Sequence, residues 1–268
     1  LISQLRAPLQ NVSGILPQYY SALASAERLM ELESNEDEPL PAEKAELEKI
    51  KSDFRSIEVN NLCFGYGGEV ILNDCSFSAE RGHITAITGE SGSGKSTLFK
   101  LMLGLYEPQS GSITVNGNVP LDASLRGLFA YVPQGNMVLS GTVRDNITMC
   151  DPAITDMQIE KAARAAEIYD YIVSLPEGFE TRLAERGAGL SEGQIQRISI
   201  ARALLTDTPV ILLDEATSAL DEETETRVLT NIKSMTDKTI LFITHRNTSL
   251  KACDRIVHVE NKNFSVIK

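Results

Sequence analysis

No run of about eighteen apolar residues occurs anywhere in the 268 residues, so nothing in the sequence reads as a membrane-spanning helix. Positive charge is also scarce. The 25 lysines and arginines face 37 acids, which leaves a net charge of −12. That balance argues against general nucleic-acid binding, which favours basic faces. Half of the excess sits in one place: Glu27 to Glu58 carries eleven acids and five bases, a net of −6. The four cysteines, Cys63, Cys75, Cys150 and Cys253, lack C-x-x-C spacing. They are expected to be core thiols of a cytosolic protein rather than metal ligands or disulfides. Neither end reads as a signal peptide, and repeats and low-complexity tracts are not seen. What remains is ordinary in composition, 42% hydrophobic, and long enough to bury one substantial core.

The first positive signal is GESGSGKST, Gly89 to Thr97. Gly89, Gly94, Lys95 and Ser96 fit the phosphate-loop pattern G-x-x-x-x-G-K-[ST]. His83 to Thr88 (HITAIT) is short, mostly apolar and β-branched, so a buried strand is predicted before the loop. Gly94 to Leu103 is predicted to be a helix after it. Between them the chain must turn tightly around an anion, and its glycines allow backbone N–H groups to face phosphate oxygens. The helix N-terminus favours the same negative charge. The expected nucleotide contacts are therefore Gly89, Glu90, Ser91, Gly92, Ser93, Gly94, Lys95, Ser96 and Thr97. Lys95 supplies a point charge to the β- and γ-phosphates, and Ser96 offers a hydroxyl to Mg²⁺.

VILLDEATSALD follows from Val210 to Asp221. Val210 to Leu213 is continuously apolar, as expected of a parallel strand buried on both faces. Such sheets bind ligands outside the carboxyl ends of their strands, which delivers Asp214 and Glu215 beside the phosphate loop. Asp214 is expected to hold Mg²⁺, directly or through water. Glu215 is expected to turn its side chain to the other face. LSEGQ, Leu190 to Gln194, opens a further helix whose apolar positions are Ile195, Ile198, Ile200, Ala201, Leu204 and Leu205. Ser191 and Gln194 form the S-x-x-Q of a capping box. Beside Gly193, that capped N-terminus is also suited to an anion. Gln134, in YVPQ, and His245, in LFITHR after the apolar run Thr239 to Thr244, complete the series.

The order and spacing of these segments resemble the nucleotide-binding domain of an ATP-binding cassette (ABC) transporter, over roughly Ile57 to Glu260. The resemblance implies a P-loop α/β core with an antiparallel β-lobe and an inserted α-helical lobe. It implies ATP and Mg²⁺ as cofactors. Glu215 polarises the attacking water, Lys95 acts with it, and Gln134 senses Mg²⁺ and that water. His245 is the switch histidine that contacts the γ-phosphate. Ser96, Gln134 and Asp214 are the expected metal contacts. Ser191, Gly193 and Gln194 face the γ-phosphate bound by another subunit, so the expected partner is a second ABC ATPase domain, identical or not. Glu192 stands where LSGGQ is more usual. Asp221 ends the D-loop, which crosses that interface. Tyr66 lies where the family stacks an aromatic ring on adenine. Gly67 and Gly68 follow it where Pro is often found, which predicts a more mobile loop.

Two stretches resemble exporters in particular: GNMVLSGTVRDNI, Gly135 to Ile147, and TRLAERGAGLSEGQ, Thr181 to Gln194, with Glu185, Arg186 and Gly187 as its acid-Arg-Gly element. Leu1, Leu5, Leu9, Val12, Leu16, Tyr19, Leu23, Ala26 and Met30 recur as one helical stripe, which Pro8 and Pro17 should kink or break. The stripe resembles the cytoplasmic extension of an exporter's last transmembrane helix. The expected organisation is a helix over 1–33, an acidic linker over 34–54 that separates it from the domain, and the ATPase domain over 55–268. Residues 57 to 88 should hold three strands. The helical lobe is expected at about 135–205, with alanine-rich EKAARAAEIYDYIVSL, Glu160 to Leu175, inside it. The reading is a soluble fragment at the cytoplasmic face of a membrane, its transmembrane domain upstream, with no nucleic acid bound. A soluble ABC ATPase acting on nucleic acid or ribosomes is the alternative. A small-molecule P-loop kinase is a third reading, opposed by LSEGQ and SALD.

Overall fold

The computed structural model describes residues 2–34, 37–135, 138–183 and 189–267, with side chains from residue 15 onward. Leu1–Pro39 and Leu40–Lys268 form two separate compact units. The first is a single helix, α1 (Ile2–Glu33). Pro8 and Pro17, expected to kink or break this stretch, both lie within it; each withholds one N–H from the ladder, and the bonds on either side carry the helix on. Leu16, Tyr19, Leu23 and Met30 of its stripe are exposed.

The second unit begins inside the segment expected to be a linker. Helix α2 (Lys44–Ser52) lies there, and Leu47, Ile50 and Phe54 pack on the same apolar cluster as the β-lobe. Phe54 is only 1% exposed. The Ala42 N–H donates to the Ser124 carbonyl at 3.0 Å. Leu47 approaches so closely that a Cβ on Gly127 would sit 2.7 Å from its Cδ2. The acids of this segment point to water while its few apolar residues, three and four apart, face the domain. Residues 42–54 are therefore seated on the domain and do not act as a spacer.

Strands β1 (Ser56–Tyr66) and β2 (Glu69–Glu80) form a hairpin with Tyr66 opposite Glu69. Gly67 and Gly68 close it with φ of 54° and 94°. That is a tight two-residue turn of the kind hairpins favour, formed where proline was missing. There follow β3 (Ile84–Gly89), α3 (Lys95–Met102), β4 (Ser110–Val115), β5 (Val119–Pro120) and β6 (Phe129–Val132). Next come β7 (Gly141–Thr142), α4 (Val143–Thr148), α5 (Asp156–Ala165), α6 (Tyr169–Ser174), β8 (Arg182–Leu183) and α7 (Glu192–Leu205). The chain then alternates through β9 (Val210–Asp214), α8 (Glu222–Lys233), β10 (Thr239–Ile243), α9 (Asn247–Leu250), β11 (Arg255–Glu260) and β12 (Asn263–Val266).

The sheets account for the fold class. An antiparallel sheet runs in the order β2-β1-β4-β5, and a six-stranded sheet in the order β12-β11-β3-β10-β9-β6, parallel except at β12. This is the expected α/β P-loop core with an antiparallel lobe. Strands β9 and β10 are buried along their whole length because both faces are covered. Ile211 and Leu213 of β9 join one core cluster with Ile240 and Phe242 of β10 and the helices α4 to α8. Val210 and Leu212 join the other with Leu241, Ile243, α3 and the β-lobe. Period-two alternation thus feeds two cores from one strand.

The alanine-rich stretch is helical as expected, and forms two helices. It breaks between α5 and α6, where Glu167 takes φ +56°. The break turns the Glu167 carbonyl toward Arg197 of α7, which donates to it at 2.5 Å, while the Glu167 carboxylate takes Arg227 at 3.0 Å and Asn231 at 2.9 Å. Three tertiary bonds there outweigh the helix propensity of alanine. The exporter element Glu185, Arg186 and Gly187 lies outside the described residues, as do Asn136 and Met137 of the other exporter-like stretch.

Candidate nucleotide site

The phosphate loop leaves β3 and enters α3 as its spacing predicts. Gly94 caps the helix at φ +99°. A side chain there would also strike β2, with a Cβ 2.8 Å from Leu72 Cδ2 and 2.9 Å from Ile71 Cγ2. Glycine is therefore demanded twice, by conformation and by the strand packed behind. Glu90, Ser91 and Gly92 form an exposed crest. Lys95 is 5% exposed, and its ammonium lies across the loop, donating to the Gly89 carbonyl at 3.0 Å and the Glu90 carbonyl at 2.6 Å. Burial pulls this ammonium below the usual lysine value, against the opposing pull of Glu215 and Asp214. A cation held over a ring of backbone dipoles is arranged to meet phosphate oxygens. Thr97 continues the first turn of α3.

Asp214 ends β9 directly beside this helix. The Ser96 hydroxyl donates to its Oδ1 at 3.1 Å, and the Tyr131 hydroxyl donates to its Oδ2 at 3.1 Å. Burial pushes the Asp214 carboxyl up, and the two hydroxyl bonds hold it down. Burial and the neighbouring carboxylate likewise push the Tyr131 phenol well up, so it stays a donor. Tyr131, on β6, aims Asp214 and is absent from the sequence-based site. Its tyrosine lies three residues before Gln134 in YVPQ, but only the pairing of β6 with β9 reveals its partner, 83 residues away.

Glu215 meets different neighbours, though not by strand alternation. The strand ends at Asp214, and Glu215 turns out of it at φ +52°. A left-handed glutamate is uncommon and is held here by its N–H, which donates to the Ile243 carbonyl at 3.2 Å. The turn presents one carboxylate oxygen to the Gln134 amide, 2.8 Å away, and the other to His245 Nε2, 3.3 Å away. The three residues expected to act around the γ-phosphate thus converge on one carboxylate. Gln134, expected at the metal, is bonded to Glu215 rather than to Asp214.

The donor set suits Mg²⁺. Ser96 and Asp214 present hard oxygens side by side, and no cluster of three or more His, Cys, Asp or Glu able to hold a metal occurs among the described residues. Mg²⁺ is usually held this way, by one or two protein oxygens with phosphate and water completing the shell.

Tyr66 stands at the end of the hairpin whose β2 packs behind Gly94. Its ring is 38% exposed. Phe64 and Tyr106 buttress it edge-on, at centroid distances of 4.9 Å and 5.2 Å. Tyr106, nine residues after the phosphate-loop motif, and Phe64 are members of this platform that the sequence did not announce. Tyr66→Ala is expected to weaken ATP by about 1–3 kcal/mol, the usual worth of one stacked base, and to leave inorganic triphosphate unaffected. Competition titrations with both ligands measure it; equal losses would mean that Tyr66 does not stack on adenine.

LSEGQ forms the capping box expected of it. The Gln194 N–H donates to Ser191 Oγ at 3.2 Å, and the Ser191 N–H donates to Gln194 Oε1 at 2.8 Å. Glu192 is exposed in the first turn, where an acid suits the helix dipole. Gly193 packs under the loop after β9: a Cβ there would lie 3.0 Å from the Ala219 carbonyl oxygen. Asp221 ends that loop by capping α8, its carboxylate accepting from the Thr224 N–H at 2.9 Å.

A phosphate loop on a parallel sheet, with an acid pair at the end of another strand of that sheet, one strand removed, defines a P-loop nucleotide-binding protein. A family model described as ABC transporter matches residues 72–218. A probable ABC transporter ATP-binding/permease protein of Haemophilus influenzae is 39% identical over 269 residues, covering 99% of this chain and 48% of that protein. An ATP-dependent lipid A-core flippase of Desulfotalea psychrophila is 40% identical over 257 residues, covering 94% of this chain and 45% of that protein. The solved structure of a bacterial Atm1-family ABC exporter with ATP bound superposes with a TM-score of 0.73 at 34% identity, over 79% of this chain and 38% of that one. The chain belongs to the ABC transporter family, as an ATP-binding domain of the exporter type. It spans about half the length of the curated relatives it matches.

Proposed function

We propose that this chain is the ATP-hydrolysing part of an exporter subunit, working at the cytoplasmic face of a membrane through a transmembrane domain elsewhere in a longer protein. The observation that carries the reading is the convergence of Gln134 and His245 on Glu215, next to the Ser96–Asp214 pair. Lys95 and the loop amides hold the β- and γ-phosphates. Ser96 and Asp214 hold Mg²⁺, which when bound neutralises charge on the phosphate oxygens. Glu215 accepts a proton from, or polarises, the attacking water. Gln134 and His245 keep its carboxylate aimed. Tyr66 receives the adenine. Ser191, Gly193 and Gln194 bond within their own helix end and against the loop after β9, which leaves the capped N-terminus to serve the nucleotide of a second copy or a related domain. No described helix is long and apolar enough to cross a membrane, and export therefore needs that second part. The named relatives are a permease, a flippase and an exporter, so the alternative of nucleic-acid or ribosome remodelling is not favoured.

Two copies at −12 each repel, and the chain alone is expected to be monomeric without nucleotide. Glu215→Gln with Mg-ATP should sediment as a dimer, because binding persists while hydrolysis is blocked. Adding Ser191→Arg should abolish that dimer. A dimer indifferent to both ATP and Ser191→Arg would show a different interface, and no dimer at any concentration would point to an unlike partner domain.

A further inference from the structure

The loop from Thr217 to Leu220 has an exposed crest at Ser218 and Ala219. Side chains from three other elements hold it. The Arg246 guanidinium reaches it from below: Nη2 donates to the Ser218 carbonyl at 2.6 Å and Nη1 to the Leu220 carbonyl at 2.6 Å. Nη1 also lies 3.3 Å from the carboxylate of Glu225, which is 1% exposed. The other oxygen of Glu225 accepts from the Thr217 hydroxyl at 2.5 Å. Gln196 of α7 acts from the opposite side, donating to Ser218 Oγ at 3.0 Å and accepting from the Ala219 N–H at 3.0 Å. Gly193 lets the Ala219 carbonyl come to rest on the LSEGQ turn. All four residues from 217 to 220 are thus held by three side chains, Glu225, Arg246 and Gln196, from outside the loop.

Arg246 has a second connection. Its own N–H donates to Thr244 Oγ1 at 3.1 Å, and this bond spans His245, whose Nε2 faces Glu215. The side chain of Arg246 thus shapes the crest, while its backbone N–H, which any residue but proline would supply, closes the bend at His245. Only arginine presents donors in a planar fork that can serve two carbonyls and a carboxylate at once; a lysine ammonium keeps the charge and loses the fork. Holding an exposed crest rigid before any partner arrives lowers the ordering cost of association.

We propose that Arg246 is a positioning residue whose guanidinium preforms the Thr217–Leu220 crest for contact with a second copy of this domain. The inference rests on the two-copy reading above. It separates from a merely structural ion pair by what Arg246→Lys does. In the Glu215→Gln background, Arg246→Lys keeps a positive charge against Glu225 and should bind a fluorescent ATP analogue within about twofold of its parent, yet need about tenfold more protein to pair with Mg-ATP. In the otherwise unchanged chain it should lower kcat about tenfold or more with little change in KM, because the loss is one of alignment. Arg246→Ala strands Glu225 as a buried charge; paired with Glu225→Gln, it should fold and show the same pairing defect. Pairing by Arg246→Lys at the parent's concentration, with kcat unchanged, overturns the proposal alone. Failure of Glu215→Gln itself to pair removes the two-copy reading and this proposal with it.

Discussion

Replacing Lys95 with alanine is expected to lower ATP affinity by about tenfold to a hundredfold or more. One charge-assisted bond contributes about 1.5–3 kcal/mol, and this ammonium faces the oxygens of two phosphates. The buried setting of Lys95 sharpens the effect, since water does not replace the lost charge well at a 5% exposed position. The same setting predicts a pH dependence. The nucleotide-free ammonium titrates below the usual lysine value because burial disfavours its charged form. Binding needs that form, so ATP affinity should begin to fall as pH rises through the lowered value, before an ordinary lysine would discharge. Titration of a fluorescent ATP analogue over an alkaline pH series tests both statements. Unchanged affinity in Lys95→Ala would remove Lys95 from the site.

Glu215→Gln is expected to cut steady-state phosphate release by about 10²- to 10⁴-fold, the usual scale of a general base, while ATP still binds. The substitution preserves shape at a residue fixed by a left-handed turn, so the backbone route to Gln134 and His245 survives. What disappears is the negative charge. Near-normal phosphate release from the variant would mean that Glu215 neither accepts the proton nor polarises the water.

The parts of the site that could be read from the sequence are those whose chemistry is local. The phosphate loop needs glycine where φ is positive, and Gly94 marks such a place in the chain itself. Val210 to Leu213 and Ile240 to Ile243 announce burial on both faces by being apolar without a break. Ser191 and Gln194 satisfy each other across three residues. The parts that escaped depend on pairs far apart in the chain. Tyr131 and Arg246 find their partners only after β6, β9 and β10 have paired. The break at Glu167 contradicts local helix propensity and is fixed by Arg197, thirty residues on. Gly67–Gly68 was legible in part: two glycines between strands signal a tight hairpin turn as well as mobility. In the acidic segment, composition masked pattern, because three apolar residues among many acids suffice to dock α2.

That docking changes what the segment between α1 and β1 can transmit. A free spacer from Leu40 to Asp53 would reach about 45–50 Å when fully extended and would absorb any displacement applied at its start. With Leu47 seated against Gly127 and Phe54 buried, this slack is gone. Force arriving at Leu40 is delivered instead to the turn at Ala123–Leu128 and, through it, to β6, the strand that leads to Gln134. Pulling on this segment is therefore expected to load the Ala123–Leu128 turn and β6, at the edge of the six-stranded sheet, before α2 lets go.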